Sequence, residues 1–78
     1  MARLVFLGRL QDVAGCAERE VAAAPLSDIL ATLSPELALA LTDERVRWAF
    51  NGELIAEHGG ITLDEGDELA FLPAVSGG

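Results

Sequence analysis

Gly66-Asp-Glu-Leu-Ala-Phe-Leu-Pro-Ala-Val-Ser-Gly-Gly78 is the stretch on which the fold turns. Gly66 and Asp67 are turn chemistry, and Glu68-Leu-Ala-Phe-Leu72 then sends Leu69 and Phe71 to one face and Ala70 and Leu72 to the other. A strand that is apolar on both faces belongs inside a sheet. Pro73 has no N–H to extend a ladder, so the chain leaves the sheet there. Ala74, Val75 and Ser76 continue as an extended segment, and Gly77-Gly78 ends without side chains. A glycine pair passes through a channel too narrow for other residues and adopts almost any backbone angle. The expectation is a folded body over residues 1–73 and a flexible tail over 74–78, with the carboxylate of Gly78 as the reactive group. Chain ends of small residues also fray by default, which is the plainer account of the same feature.

Outward from that strand, Arg3 to Leu10 reads as a second interior strand, with Leu4 and Phe6 on one side and Val5 and Leu7 on the other. Gln11 to Gly15 fits a short helical turn closed by glycine, and Ala17 to Ala22 fits a strand forming a hairpin with the first. Pro25 suits the first helical position, and Leu26, Ile29, Leu30 and Leu33 follow at the spacing of one buried stripe, which predicts the main helix. Ser34 and Pro35 repeat the start signal for a short second helix running to about Leu41, with Leu37 and Leu41 inward and Thr42-Asp43-Glu44 as its end. Val46, Trp48 and Phe50 alternate with polar and small residues, and Asn51-Gly52 is a type I′ turn dipeptide, so Glu53 to Ala56 returns antiparallel. Gly59-Gly60 and the turn Asp64 to Asp67 flank a short segment, Ile61 to Leu63. This order gives an α+β domain: a mixed sheet of about five strands with one main helix and short helical turns, covered on one face only. Leu7, Leu54 and Leu72 then fall on the uncovered face as candidates for a partner-binding surface, although single exposed leucines are ordinary.

Five arginines, no lysine and thirteen acidic residues give a net charge of −8. That balance repels phosphate backbones and anionic headgroups, so neither nucleic acid nor membrane is an expected partner. It serves solubility and steers the chain toward basic protein surfaces. Cys16 stands alone, so no internal disulfide forms and a reducing compartment is implied; no metal site is expected from a single Cys and a single His. Arg3, Leu4 to Leu7 and Val13-Ala14-Gly15-Cys16 loosely imitate a lipoprotein signal, but the apolar run is too short and is broken by Arg9, Gln11 and Asp12. The expected location is cytoplasmic. Cys16 is read as a small buried hydrophobe and His58 as a solvated loop residue, neither with a role.

The opening strand Leu4-Val-Phe-Leu-Gly-Arg-Leu10, the Asn51-Gly52 hairpin and above all the ending Gly66 to Gly78 resemble the small subunit of molybdopterin synthase, the MoaD type, a ubiquitin-like β-grasp sulfur carrier. The resemblance runs the full length of the chain. One departure is Ala74, where the common family tail has a second consecutive proline. What the resemblance implies is specific. An E1-like partner uses ATP to adenylate Gly78, a sulfurtransferase supplies sulfur to give a C-terminal thiocarboxylate, and Pro73, Ala74, Val75, Ser76 and Gly77 thread into the large synthase subunit. There the thiocarboxylate donates sulfur to cyclic pyranopterin monophosphate in molybdenum cofactor biosynthesis. The chain would bind no cofactor itself and hold no autonomous catalytic site, acting as the sulfur-donor subunit of a heterotetrameric sulfurtransferase. Consistent with this, the sequence offers no nucleophile–base pair and no phosphate loop. Three other readings stay open: a thiamine-pathway sulfur carrier, a ubiquitin-like protein modifier, and a non-covalent adaptor using the same sheet face.

Overall fold

The computed structural model describes residues 1–55 and 60–73. The expectations for Ala56, His58 and Gly59, and those for Ala74, Val75, Ser76, Gly77 and Gly78, lie outside these described residues. Ten elements follow in order: β1 (Ala2–Phe6), α1 (Leu10–Ala14), β2 (Glu18–Val21), β3 (Ala24–Pro25), α2 (Leu26–Ala31), α3 (Pro35–Leu41), β4 (Arg47–Phe50), β5 (Glu53–Ile55), β6 (Thr62–Leu63) and β7 (Glu68–Leu72). Five strands form one mixed sheet in the order β2-β1-β7-β4-β5, and β3 pairs with β6 as a two-stranded annex. The fold class expected from the sequence is the one observed.

β7 is the centre of the sheet, parallel to β1 and antiparallel to β4. Its inward residues, Leu69 and Phe71, are fully buried together with Leu4, Phe6 and Trp48. Phe71 stacks on Phe6 with ring centroids 5.7 Å apart and meets Trp48 edge-on at 5.4 Å, arrangements that add to simple burial. Trp48 Nε1 donates to the Leu41 carbonyl at 3.0 Å, so the buried indole loses water without losing a hydrogen bond. Leu26, Ile29, Leu33, Leu37 and Leu41 close the core from the helical side.

Local chemistry sets the boundaries. Ser34 Oγ accepts from the Leu37 N–H at 3.2 Å with Pro35 directly after it, the cap expected for α3. Asn51 and Gly52 both have positive φ, 51° and 85°, as a type I′ turn requires. Three expectations need correction. The first strand stops at Phe6 rather than Leu10, because Gly8 turns the chain with φ 56° and Leu10 already opens α1. Pro25 is not the first residue of its helix; it caps α2 in an extended conformation and pairs with Thr62 across the annex. No helix dominates: α2 has six residues and α3 has seven. Thr32 ends α2 by donating both its N–H and its hydroxyl to the Ile29 carbonyl, and the extended backbone that Pro35 imposes on Ser34 separates the two helices. Leu33 keeps its place in the stripe from outside the helix and is buried. No helix among the described residues is long and apolar enough to cross a membrane.

Candidate functional site

The helices cover one face of the sheet, and the strand alternation presents the other to solvent. Register fixes what lies there. Val5 pairs with Ala70, Ala70 with Ala49, and Ala49 with Leu54, a row of apolar side chains across four strands. One step along, toward the end of β7, Leu72 pairs with Arg47. The Leu7 N–H donates to the Phe71 carbonyl at 3.1 Å, which continues the parallel register and sets Leu7 beside Leu72. At the other end of the same face Arg3 meets Glu68 at 3.4 Å, with Glu20 opposite Arg3 on β2. The open face is thus apolar in its middle, carries Arg47 beside Leu72 and Leu7 where β7 stops, and holds Arg3, Glu68 and Glu20 at its far end.

The three leucines expected to form a docking surface all lie on this face. Leu54 is 67 % exposed, Leu7 is 37 % exposed, and Leu72 is half-buried between its neighbours. They are not one cluster. Leu7 and Leu72 adjoin, whereas Leu54 stands two strands away with Ala70 and Ala49 forming a shallow saddle between. The row Val5, Ala70, Ala49 supplies the continuity that three scattered leucines lack, and small residues there let a partner approach the sheet closely.

Pro73 is half-buried where the chain leaves β7. It lies against Gly8, where an added Cβ would come within 2.8 Å of Pro73 Cγ and the backbone already has φ 56°. Gly8 therefore makes room for the Pro73 ring at the end of β7, a role the sequence reading missed. Its signal was present as a glycine interrupting an apolar strand run, which marks a turn or a close backbone approach. Beside Pro73 a cavity of about 300 Å³ is lined by Arg9, Leu10, Val13, Asp43 and Arg45 among others. Asp43 chelates Arg45, accepting from Nε and Nη2 at 3.2 Å each and from the Arg45 N–H at 2.9 Å. The Arg45 side chain, then its backbone N–H, hold the Asp43 carboxyl below the ordinary aspartate value.

The opposite end of β7 is clamped. The Asn51 N–H donates to the Glu68 carbonyl and the Glu68 N–H to Asn51 Oδ1, each at 2.8 Å, while Asn51 Nδ2 donates to Asp67 Oδ1 at 3.2 Å. The Asp64 N–H donates to the other Asp67 oxygen at 2.9 Å, and these donors, Asp64 first, pull the Asp67 carboxyl below its ordinary value. The hairpin turn and the turn before β7 are thereby fastened together. The chemistry of this face is that of a grip: apolar area and fixed backbone geometry leading to an exit point.

The model of the ThiS family matches residues 4–78. This chain belongs to the ThiS family. It is 34 % identical over 84 residues to the molybdopterin synthase sulfur carrier subunit of Escherichia coli strain K12, with 100 % of both chains covered. Among solved structures it is similar to the protein–protein complex of subunits 1 and 2 of molybdopterin-converting factor from Helicobacter pylori, with TM-score 0.71, 25 % identity and coverage of 99 % of this chain and 97 % of the other. SAMP1 of Haloferax volcanii superposes with TM-score 0.70 at 28 % identity, covering 99 % and 98 %. The five-stranded sheet is the ubiquitin-like β-grasp that the family resemblance implied.

Proposed function

We propose that this ThiS-family chain is the sulfur carrier subunit of a molybdopterin synthase, and that its reacting group is the carboxylate of Gly78. The observation that carries the reading is the full-length relation to the Escherichia coli sulfur carrier subunit, in a family match that runs through Gly77 and Gly78. The open face supports it, because its apolar row and the adjoining Leu7 and Leu72 offer a large subunit a surface to hold beside Pro73. The similarity to one member of the Helicobacter pylori complex of two converting-factor subunits supports the same partner class.

The chemistry follows from the weakness of a carboxylate as an electrophile. Attack of the Gly78 carboxylate oxygen on the α-phosphorus of ATP, in an E1-like partner, expels pyrophosphate and gives an acyl adenylate. Hydrosulfide delivered by a sulfurtransferase adds at the acyl carbon and expels AMP, leaving a thiocarboxylate and a proton. The thiocarboxylate then supplies sulfur to cyclic pyranopterin monophosphate in the large subunit, and a carboxylate is regenerated. An extended five-residue segment reaches at most about 17 Å, far enough to carry this group into a pocket while the sheet face stays docked outside it. Acid, base and phosphate-binding groups belong to the partners, which work in the cytoplasm with this subunit in a heterotetramer.

Intact-mass analysis after incubation with the adenylating enzyme, ATP and sulfide tests the reading. A gain of about 16 Da, oxygen replaced by sulfur, located on Gly78 is expected from acyl activation. An unchanged mass, with the adenylating enzyme active on another carrier, would contradict it.

A further inference from the structure

We infer that the outer edge of β2, with the cleft beside it, takes an extended segment of another protein that carries basic and apolar side chains on alternate residues. This surface goes beyond the sulfur-carrier reading and does not depend on it. β2 is an outer strand of the five-stranded sheet and pairs only with β1. The Phe6 N–H donates to the Ala17 carbonyl at 2.8 Å. Ala17, Arg19 and Val21 therefore turn their backbone groups toward β1, and Glu18 and Glu20 turn theirs outward. Among the described residues those outward N–H and C=O groups have no backbone partner. Such an edge is a template for one more strand. On the helix-facing side of the same edge lies a cleft of about 390 Å³, lined by Arg19, Val21, Ala24, Asp28, Ile29 and Thr32 among others. Helix α2 packs chiefly on β3, which leaves this space beside β2. The Thr32 hydroxyl donates to the Ile29 carbonyl at 2.6 Å, so it needs no partner from an occupant.

Charge selects the occupant. Glu18 and Glu20 lie on the open-face side of the strand, opposite Val5 and Arg3, and Asp28 stands at the cleft wall. None of these three carboxylates has an ion-pair partner among the described residues. The neighbouring cations are engaged: Arg3 pairs with Glu68, and Arg19 donates to the Ala14 carbonyl at 3.3 Å. With Glu68 included, four carboxylates stand against two guanidiniums along this edge. A second copy of the chain fits badly there. Two chains related by a two-fold axis through the edge set Glu20 against Glu20 when centred on that residue, or Glu18 against Glu20 when centred on Arg19, and like charges directly opposite repel. Each copy also brings a net charge of −8. A foreign strand with lysine or arginine opposite Glu18 and Glu20 meets the reverse condition. Its intervening residues turn to the cleft, where apolar side chains bury against Val21 and Ala24.

The test titrates the full chain with the peptide acetyl-Lys-Val-Lys-Val-Lys-amide, whose pattern reads the same in either strand direction, and follows backbone amide resonances. Saturable binding with a Kd of about 1 mM or below is expected. The largest shifts should fall on Glu18 and Glu20, with hydrogen exchange slowed at those two amides. The same peptide N-methylated at every backbone amide keeps its charge and loses the ladder, and should bind about tenfold more weakly or worse. The double variant Glu18→Lys, Glu20→Lys, at two exposed positions, should keep the wild-type thermal midpoint and weaken the parent peptide by about tenfold or more. Equal binding by the N-methylated peptide would reduce the effect to charge attraction and overturn the proposal. Shifts centred on Ala49, Leu54 and Ala70, or no binding, would overturn it too. A concentration-dependent dimer of the chain alone that protects Glu18 and Glu20 would assign the edge to a second copy, which also overturns it. Each of these results leaves the carrier reading untouched.

Discussion

The two faces of β7 differ by one residue of register and by nearly everything else. Leu69 and Phe71 have no solvent exposure, whereas Ala70 and Leu72 are half-buried on a face that no helix covers. A chain of this size buries only about 60 % of the surface its unfolded state exposes, so one face must supply nearly all the packing. The other is left free for a partner. Fold and docking are thus encoded on alternate residues of one strand, and substitutions there should separate them.

The largest effect is expected on the closed face. Phe71→Ala removes the ring that stacks on Phe6 and meets Trp48, and should cost about 3–5 kcal/mol of stability. That is a large part of the 5–15 kcal/mol typical of a domain, and urea unfolding would measure it. A loss below about 1 kcal/mol would show that the core is not centred on Phe71.

On the open face the consequence should move from folding to binding. Leu72→Glu sets a carboxylate where a partner must desolvate it, and tenfold or weaker affinity for the large subunit is expected, about 1.4 kcal/mol or more, with the urea midpoint little changed. Unchanged affinity in a calorimetric titration would remove Leu72 from the interface.

Gly8→Ala tests the junction between the two. A Cβ at φ 56° costs about 1–2 kcal/mol and presses on Pro73 Cγ. The variant should bind its partner through the open face yet transfer sulfur more slowly, because the tail leaves at another angle. Equal rates of transfer would mean that the exit direction is unconstrained.

The smallest effect concerns the clamped end of β7. Asp67 has its carboxyl pulled below the ordinary value by the Asp64 N–H and the Asn51 amide. A carboxyl depressed in the folded state contributes stability that is complete above its unfolded value, near pH 4, and is lost as pH falls through the lower folded value. Asp67→Asn should flatten the stability profile below about pH 4 and leave its shape above pH 5 unchanged. A parallel acid limb in denaturation curves of both proteins would assign the pH dependence to other carboxyls.

Much of this was legible in the sequence, for identifiable reasons. The interior strand Glu68 to Leu72, the Ser34-Pro35 start and the Asn51-Gly52 turn each rest on short-range chemistry, and each stands where the spacing indicated. Leu7, Leu54 and Leu72 shared a face as alternation predicts. What eluded the sequence depends on contacts between distant segments. Gly8 looked like part of a strand because its neighbour Pro73 is far along the chain. The pairing of Ala24-Pro25 with Thr62-Leu63 involves two residues on each side, too few to leave a pattern. Arg47 comes to lie opposite Leu72 only through the register of the sheet.

The division of labour between a body that is gripped and a tip that reacts is tested most directly by removing Gly78 and assaying the shortened chain, incubated with the adenylating enzyme, sulfide and ATP, with the large subunit and cyclic pyranopterin monophosphate. The account predicts wild-type thermal stability, near-wild-type affinity for the large subunit and no molybdopterin. Formation of molybdopterin at the wild-type rate by that variant would contradict it.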